Sequence, residues 1–266
     1  KAIAQNQQIN SNNMATTEEK EDALNQVEAH KQAAIATINQ AQSTQQVSEA
    51  KNNGINTINQ DQPNAVKKNN TKTILEQKGN EKKSAIAQTP DATTEEKQEA
   101  VSAVSQAVTN GITHINQANS NDDVDQELSN AEQIITQTNV NVQKKPQARQ
   151  ALIAKTNEKQ SAINSDNEGT REEKQKAIQS LNDAKNLADE QITQAASNQN
   201  VDNALNIGIS NISKIQTNFT KKQQARDQVN QKFQEKEAEL NSTPHATQDE
   251  KQDALDRKST RLNSSH

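Results

Sequence analysis

The hexapeptide Ala15-Thr16-Thr17-Glu18-Glu19-Lys20 returns as Ala92-Thr93-Thr94-Glu95-Glu96-Lys97, as Gly169-Thr170-Arg171-Glu172-Glu173-Lys174 and as Ala246-Thr247-Gln248-Asp249-Glu250-Lys251. Its lysines, Lys20, Lys97, Lys174 and Lys251, stand 77 residues apart at every step. A period held without insertion over four occurrences marks tandem structural units whose neighbours pack in one fixed way. Each occurrence also places a threonine three residues before a glutamate: Thr16 and Glu19, Thr93 and Glu96, Thr170 and Glu173, Thr247 and Glu250. This is a capping box, in which hydroxyl and carboxylate satisfy backbone N–H groups that a helix start leaves without partners.

Outward from Thr16 the first helix runs to about Gln40, with Leu24, Val27, Ala34, Ile38 and Ala41 at alternating three- and four-residue steps. That spacing gives a narrow apolar seam. The same columns hold Val101, Val104, Gly111, Ile115 and Ala118 in the next copy, then Ile178, Leu181, Ala188, Ile192 and Ala195. A second helix follows polar capping residues at Ser43, Ser120 and Ser197, aligning Val47, Val124 and Val201, then Ile58, Ile135 and Ile212. Between those columns lies Gly54, Ala131 or Gly208, a small residue suited to close helix approach. A third helix begins at the paired lysines and carries Leu75, Leu152 and Val229, then Ile86, Ile163 and Leu240. It ends around Pro90, Asp166 to Gly169, and Pro244.

Three helices with narrow seams and short loops hide those seams only against one another. The expected fold is all-α, with tandem antiparallel three-helix bundles in an elongated array. Cutting at the capping boxes gives units 14–91, 92–168 and 169–245, preceded by the end of a third helix at 1–13 and followed by the start of a fourth unit at 246–256. After Asp256 the apolar pattern fails, Lys258 standing in the Val27 column, so residues 257–266 are expected to be a non-native tail. One seam-flanking column changes character: Ile35 and Ile112 are matched by Asp189, expected to stay wet through a modest helix rotation.

Composition agrees with a thin core. Hydrophobic residues make up 29% of 266 and aromatic residues 1%, far below the roughly 45–50% apolar content of an ordinary globular domain. Partial disorder and a paired coiled coil are the alternatives such a composition leaves open. So few large side chains per unit predict marginal bundles that lean on their neighbours. A formal charge of −5 with both signs interspersed lacks the basic stripe of a nucleic-acid binder. There is no apolar run of membrane-spanning length, and the absence of cysteine excludes disulfides.

Chemistry is correspondingly sparse. His30, His114, His245 and His266 fall in different columns, so no repeated donor set for a metal is expected. The pairs Glu18-Glu19 and Glu95-Glu96 read as first-turn charges that offset the helix dipole. No Gly-rich phosphate loop, catalytic triad or cysteine nucleophile is present, and the reading is of a protein that is not an enzyme and uses no cofactor. The lysine pairs Lys67 and Lys68, Lys144 and Lys145, Lys221 and Lys222 are the candidate contacts for an anionic polymer such as teichoic acid, multiplied by copy number. A solvated face is the plainer reading of the same residues.

The motif Ala-Thr-Thr-Glu-Glu-Lys, the helix end Ile-Asn-Gln-Ala at 38–41 and 115–118, Gly-Ile-X-X-Ile at Gly54 to Ile58 and Gly208 to Ile212, and the pair Lys67-Lys68 resemble one known family. These are the repeats of unknown function in giant staphylococcal cell-wall proteins of the Ebh, SasC and FmtB type. The resemblance covers nearly all of residues 1–256. It implies a secreted, wall-associated, rod-like protein whose repeats form a stalk, linked with adhesion and cell-envelope integrity. The expected function is a structural spacer whose partners are neighbouring repeats. The alternative is a module that binds a host matrix protein such as fibronectin, or teichoic acid, through repeated helix faces. No signal peptide or sorting motif lies in this sequence, so the extracellular placement rests on the resemblance.

Overall fold

The capping boxes begin helices where the sequence places them. The computed structural model describes residues 1–263, with side chains to residue 256, so the side chains of the expected tail, 257–266, lie outside the described residues. Among the described residues there are eleven helices and no strand. They are α1 (Ala2–Asn10), α2 (Thr17–Gln40), α3 (Thr44–Gln60), α4 (Lys67–Ala87), α5 (Thr94–Gln117), α6 (Asn121–Gln137), α7 (Lys144–Ser165), α8 (Arg171–Gln194), α9 (Asn198–Lys214), α10 (Lys221–Asn241) and α11 (Gln248–Asn263). Thr16, Thr93 and Thr170 are N-caps with both hydrogen bonds of the box in place, and Ser43, Ser120 and Ser197 cap the helices that follow. Loss of one cap hydroxyl has a modest effect: Thr93→Ala is expected to destabilise by about 1 kcal/mol, read as a lower urea midpoint.

The chain divides into two compact units, Lys1–Lys144 and Lys145–His266. In the first, α4, α5 and α6 enclose one core of Leu75, Ile86, Val104, Ile115, Val124 and Ile135. A smaller core joins Ile9 of α1 to Ala23, Val27 and Ile58 on the α2–α3 hairpin. In the second unit, α7, α8 and α9 share Leu152, Ile163, Leu181, Ile192, Val201 and Ile212. In the same unit α10 packs on α11 and buries none of its residues.

These groupings correct the expected boundaries at 14–91, 92–168 and 169–245. A bundle consists of the third helix of one cut unit with the first and second helices of the next: α4 packs on α5 and α6, not on α2 and α3. After α4 the chain reverses through Pro90 and Asp91, whose φ of 59° lies in the left-handed region, and α5 returns along α4. After α3 it continues through an extended Asp61, φ −69° and ψ 118°, into the non-helical residues 62–66 that precede α4.

The crossing of the first and second helices of each bundle has room for one β-carbon. A Cβ on Gly111 would stand 2.7 Å from that of Ala131, and one on Gly208 would stand 2.5 Å from that of Ala188. Gly54 faces Ala34 in the same way. The glycine thus alternates between the helices, with alanine always opposite: Ala34 with Gly54, Gly111 with Ala131, Ala188 with Gly208. Asp189 is half exposed and needs no helix rotation, because Arg149 Nε on α7 donates to its carboxylate at 3.0 Å.

Candidate functional site: the junction between bundles

Where two bundles of the first unit meet, helix ends converge: the starts of α2, α4 and α6 and the end of α5. Each leaves backbone N–H or C=O groups without intrahelical partners, positive at helix starts and negative at helix ends. The hexapeptide supplies the complementary groups one residue at a time. Thr16 Oγ1 accepts from the Glu19 N–H and donates to Asn121 Oδ1 at 2.9 Å. The Thr17 N–H donates to the Asn119 carbonyl at 2.8 Å. Glu18 Oε2 accepts from the Asn121 N–H at 3.0 Å, at the start of α6.

Glu19 serves two helices at once. One carboxylate oxygen closes the capping box with the Thr16 N–H at 2.9 Å, and the other accepts from Val66 and Lys67 N–H at 2.9 and 2.8 Å. Val66, the N-cap of α4, makes no side-chain cap bond of its own, so Glu19 caps α4 from the preceding bundle. Glu96 repeats the arrangement, taking Thr93, Gln143 and Lys144 N–H at 2.8 Å each. Burial raises the pKa of both carboxyl groups, but their backbone N–H donors and the threonine hydroxyl outweigh it, so both lie below the ordinary glutamate value.

The last letter of the motif faces the other way. Lys97, Lys174 and Lys251 reach back ten residues to the carbonyls of Ala87, Asn164 and Asn241, in the last or next-to-last position of the preceding helix. A cation there offsets the negative end of the helix.

The lysine pairs do not form a uniform cationic face. Lys68 is 3% exposed, and its ammonium donates to the Asn13 and Asn116 carbonyls at 3.0 and 2.9 Å, tying the end of one bundle to the start of the next. Desolvation, and then the charge of Lys20, hold its pKa below the usual lysine value. Lys145 is 6% exposed and donates to the Thr193 carbonyl at 2.7 Å. Lys222 donates to Asn167 O at 2.9 Å, and Lys67 pairs with Asp125 at 2.6 Å. Lys144 is half-buried and Lys221 exposed. The polymer-contact reading is therefore corrected for Lys68 and Lys145, whose ammonium groups are buried among carbonyls.

Two histidine contacts were not visible in the column alignment. His30 Nδ1 lies 2.9 Å from both carboxylate oxygens of buried Asp61, and His114 Nδ1 lies 3.2 Å from Glu127. Both pairings are confined to single copies, since the His30 column holds Ala107 and Ala184 elsewhere. The third junction keeps the capping box of Thr170 and Glu173 but differs in the residue before it. Gly169 replaces Ala15 and Ala92 where Phe219 crowds in, and a Cβ on it would lie 2.5 Å from the Phe219 ring. Among the described residues no helix is long and apolar enough to cross a membrane, and no group of three potential metal ligands occurs.

A family model described as a domain of unknown function, DUF1542, matches residues 1–66, 67–143, 144–220 and 221–265. The chain belongs to the DUF1542 family. The DUF1542 boundaries fall at Lys67, Lys144 and Lys221, the first residues of α4, α7 and α10. Family unit and bundle therefore coincide, and the hexapeptide lies inside each DUF1542 unit. The last match runs through most of the segment set apart by the broken pattern after Asp256. No curated protein and no solved structure matches the chain.

Proposed function

We propose that this chain is a non-catalytic spacer, a stalk segment of a bacterial cell-surface protein in which each DUF1542 bundle hands the chain to the next. The junction around Glu19 carries the reading. Six side chains there, from Thr16 to Glu19 with Lys68 and Asn121, are spent on helix ends and on one another. Such a joint fixes the angle between successive bundles, which is what a spacer requires of its repeats. On this reading the protein is extracellular and wall-associated, supports adhesion or envelope integrity, and has neighbouring repeats as its first partners. It carries out no reaction and uses no cofactor. A matrix-protein or teichoic-acid contact is the weaker reading, because burial of Lys68 and Lys145 removes much of the cationic face it would use.

Small-angle scattering on chains of two, three and four DUF1542 units tests the proposal. The maximum dimension is expected to rise by roughly 35–40 Å per unit, the length of a 24-residue helix, at constant cross-section. A dimension that stays nearly constant as units are added would describe a collapsed globule and end the spacer reading. Saturable binding of fibronectin or teichoic acid at physiological salt would favour the binding module instead.

A further inference from the structure

The glycine that the α5–α6 crossing demands is preceded by an asparagine. Asn110-Gly111 lies inside α5 and the chain's other Asn-Gly pair, Asn53-Gly54, inside α3, whereas the third crossing has Ile207-Gly208. Asparagine before glycine is the most labile amide sequence in a polypeptide, because no Cβ shields the glycine nitrogen from the side-chain carbonyl carbon. The backbone decides whether those two atoms meet. In α5 the Asn110 side chain is exposed and leans toward the helix start, where Gln106 Nε2 donates to its Oδ1 at 2.8 Å, one turn back. Gly111 is buried, and its N–H belongs to the hydrogen-bond ladder of the helix interior. Helix geometry thus holds the two reacting atoms apart although solvent reaches the amide.

We propose that Asn110 is a deamidation site gated by α5, closed while the helix stands and open when the bundle unfolds. In the opened chain the Gly111 nitrogen gives its proton to hydroxide and bonds to Asn110 Cγ. The Cγ–Nδ2 bond breaks and ammonia leaves, closing a cyclic imide. Water then adds to one of the two ring carbonyls. Opening on one side restores the main chain with aspartate at 110; opening on the other gives isoaspartate, in which the side-chain methylene has entered the main chain. The crossing has no room for that displacement, since a Cβ on Gly111 would already stand 2.6 Å from Leu75 Cδ2 and 2.7 Å from that of Ala131. An unfolding event that outlasts the reaction therefore leaves this bundle unable to close.

Peptide mapping of the full chain, held at mildly alkaline pH with and without guanidinium chloride, tests this. Asn110 is expected to be lost at least about tenfold faster in denaturant, and its loss in the folded chain should follow the population of the open form. Thr93→Ala weakens the start of α5 and should speed that folded-state loss about fivefold while leaving the rate in denaturant unchanged. On removal of denaturant, chains with isoaspartate at 110 should stay short of parental helicity, whereas Asn110→Asp should regain it, which separates the extra main-chain carbon from the added charge. Both comparisons are made in an Asn53→Gln background, which removes the second Asn-Gly pair. Equal rates at Asn110 with and without denaturant, a folded-state rate that Thr93→Ala leaves unchanged, or full refolding of the isoaspartate form would overturn the proposal.

Discussion

Glu96→Ala is expected to lower the stability of the first unit by about 3 kcal/mol, measured by urea unfolding followed through helicity. The substitution removes the acceptor of three backbone N–H groups, those of Thr93, Gln143 and Lys144. Hydrogen bonds to a charged acceptor contribute about 1.5–3 kcal/mol apiece, and water recovers part of the loss because the site is only half-buried. Thr93 retains its hydroxyl and still caps α5, so the helix start survives while the join to Lys144 is lost. Glu96→Gln should fall between the two, since an amide keeps one oxygen acceptor but loses the charge that helix starts favour.

The same carboxylate ties stability to pH in a defined direction. Its folded pKa lies below the ordinary glutamate value, so its contribution is complete above about pH 4.3 and is lost as pH falls through the folded value. The stability difference between the parent chain and Glu96→Ala should therefore be full at pH 7 and close toward pH 3. A difference that stays constant over that range would mean the ionised carboxylate is not what holds the three N–H groups.

Helix positions were legible because their signals are local. Thr16, Thr93 and Thr170 fix the starts of α2, α5 and α8, and the seam carries each to the glutamine where it ends. The phase of the bundle was not legible in the same way. Connections of equal length, residues 61–66 and 88–93, lead out of one bundle and back into another. No single backbone dihedral separates them: Asp91 is left-handed in the turn from α4 to α5, whereas the equivalent turn from α7 to α8 has no left-handed residue and still returns to the same core. Lys68 and Lys145 were misplaced for a different reason: lysine is almost never buried without partners, and their partners are carbonyls far off in sequence, 48 residues on at Asn116 and Thr193. The second role of Glu19 was hidden likewise, because a capping box accounts for its charge locally. Its long-range bonds go to Val66 and Lys67, backbone groups that leave no trace in side-chain identity.

The Gly/Ala alternation is a correlation the sequence carried openly but whose meaning needed the crossing geometry, and it supports the second large effect. Gly208→Ala is expected to destabilise the second unit by about 2 kcal/mol despite alanine's better helix propensity. The added Cβ would stand 2.5 Å from that of Ala188 and 3.3 Å from Leu152 Cδ1, and the nearer neighbour is a methyl fixed to backbone that cannot rotate away. Ala188→Gly alone should also destabilise, by about 1 kcal/mol, through lost propensity and an unfilled gap. Combined, the two substitutions place one β-carbon in the crossing, on the second helix, as Gly111 and Ala131 already do one bundle earlier. The propensity changes cancel, because one glycine and one alanine remain, and the double variant should unfold within about 0.5 kcal/mol of the parent. The coupling energy of the cycle then approaches the sum of the single effects, about 3 kcal/mol. Additive single effects would show instead that the helices move apart to admit a second methyl, and that the space at the crossing does not dictate which helix carries the glycine.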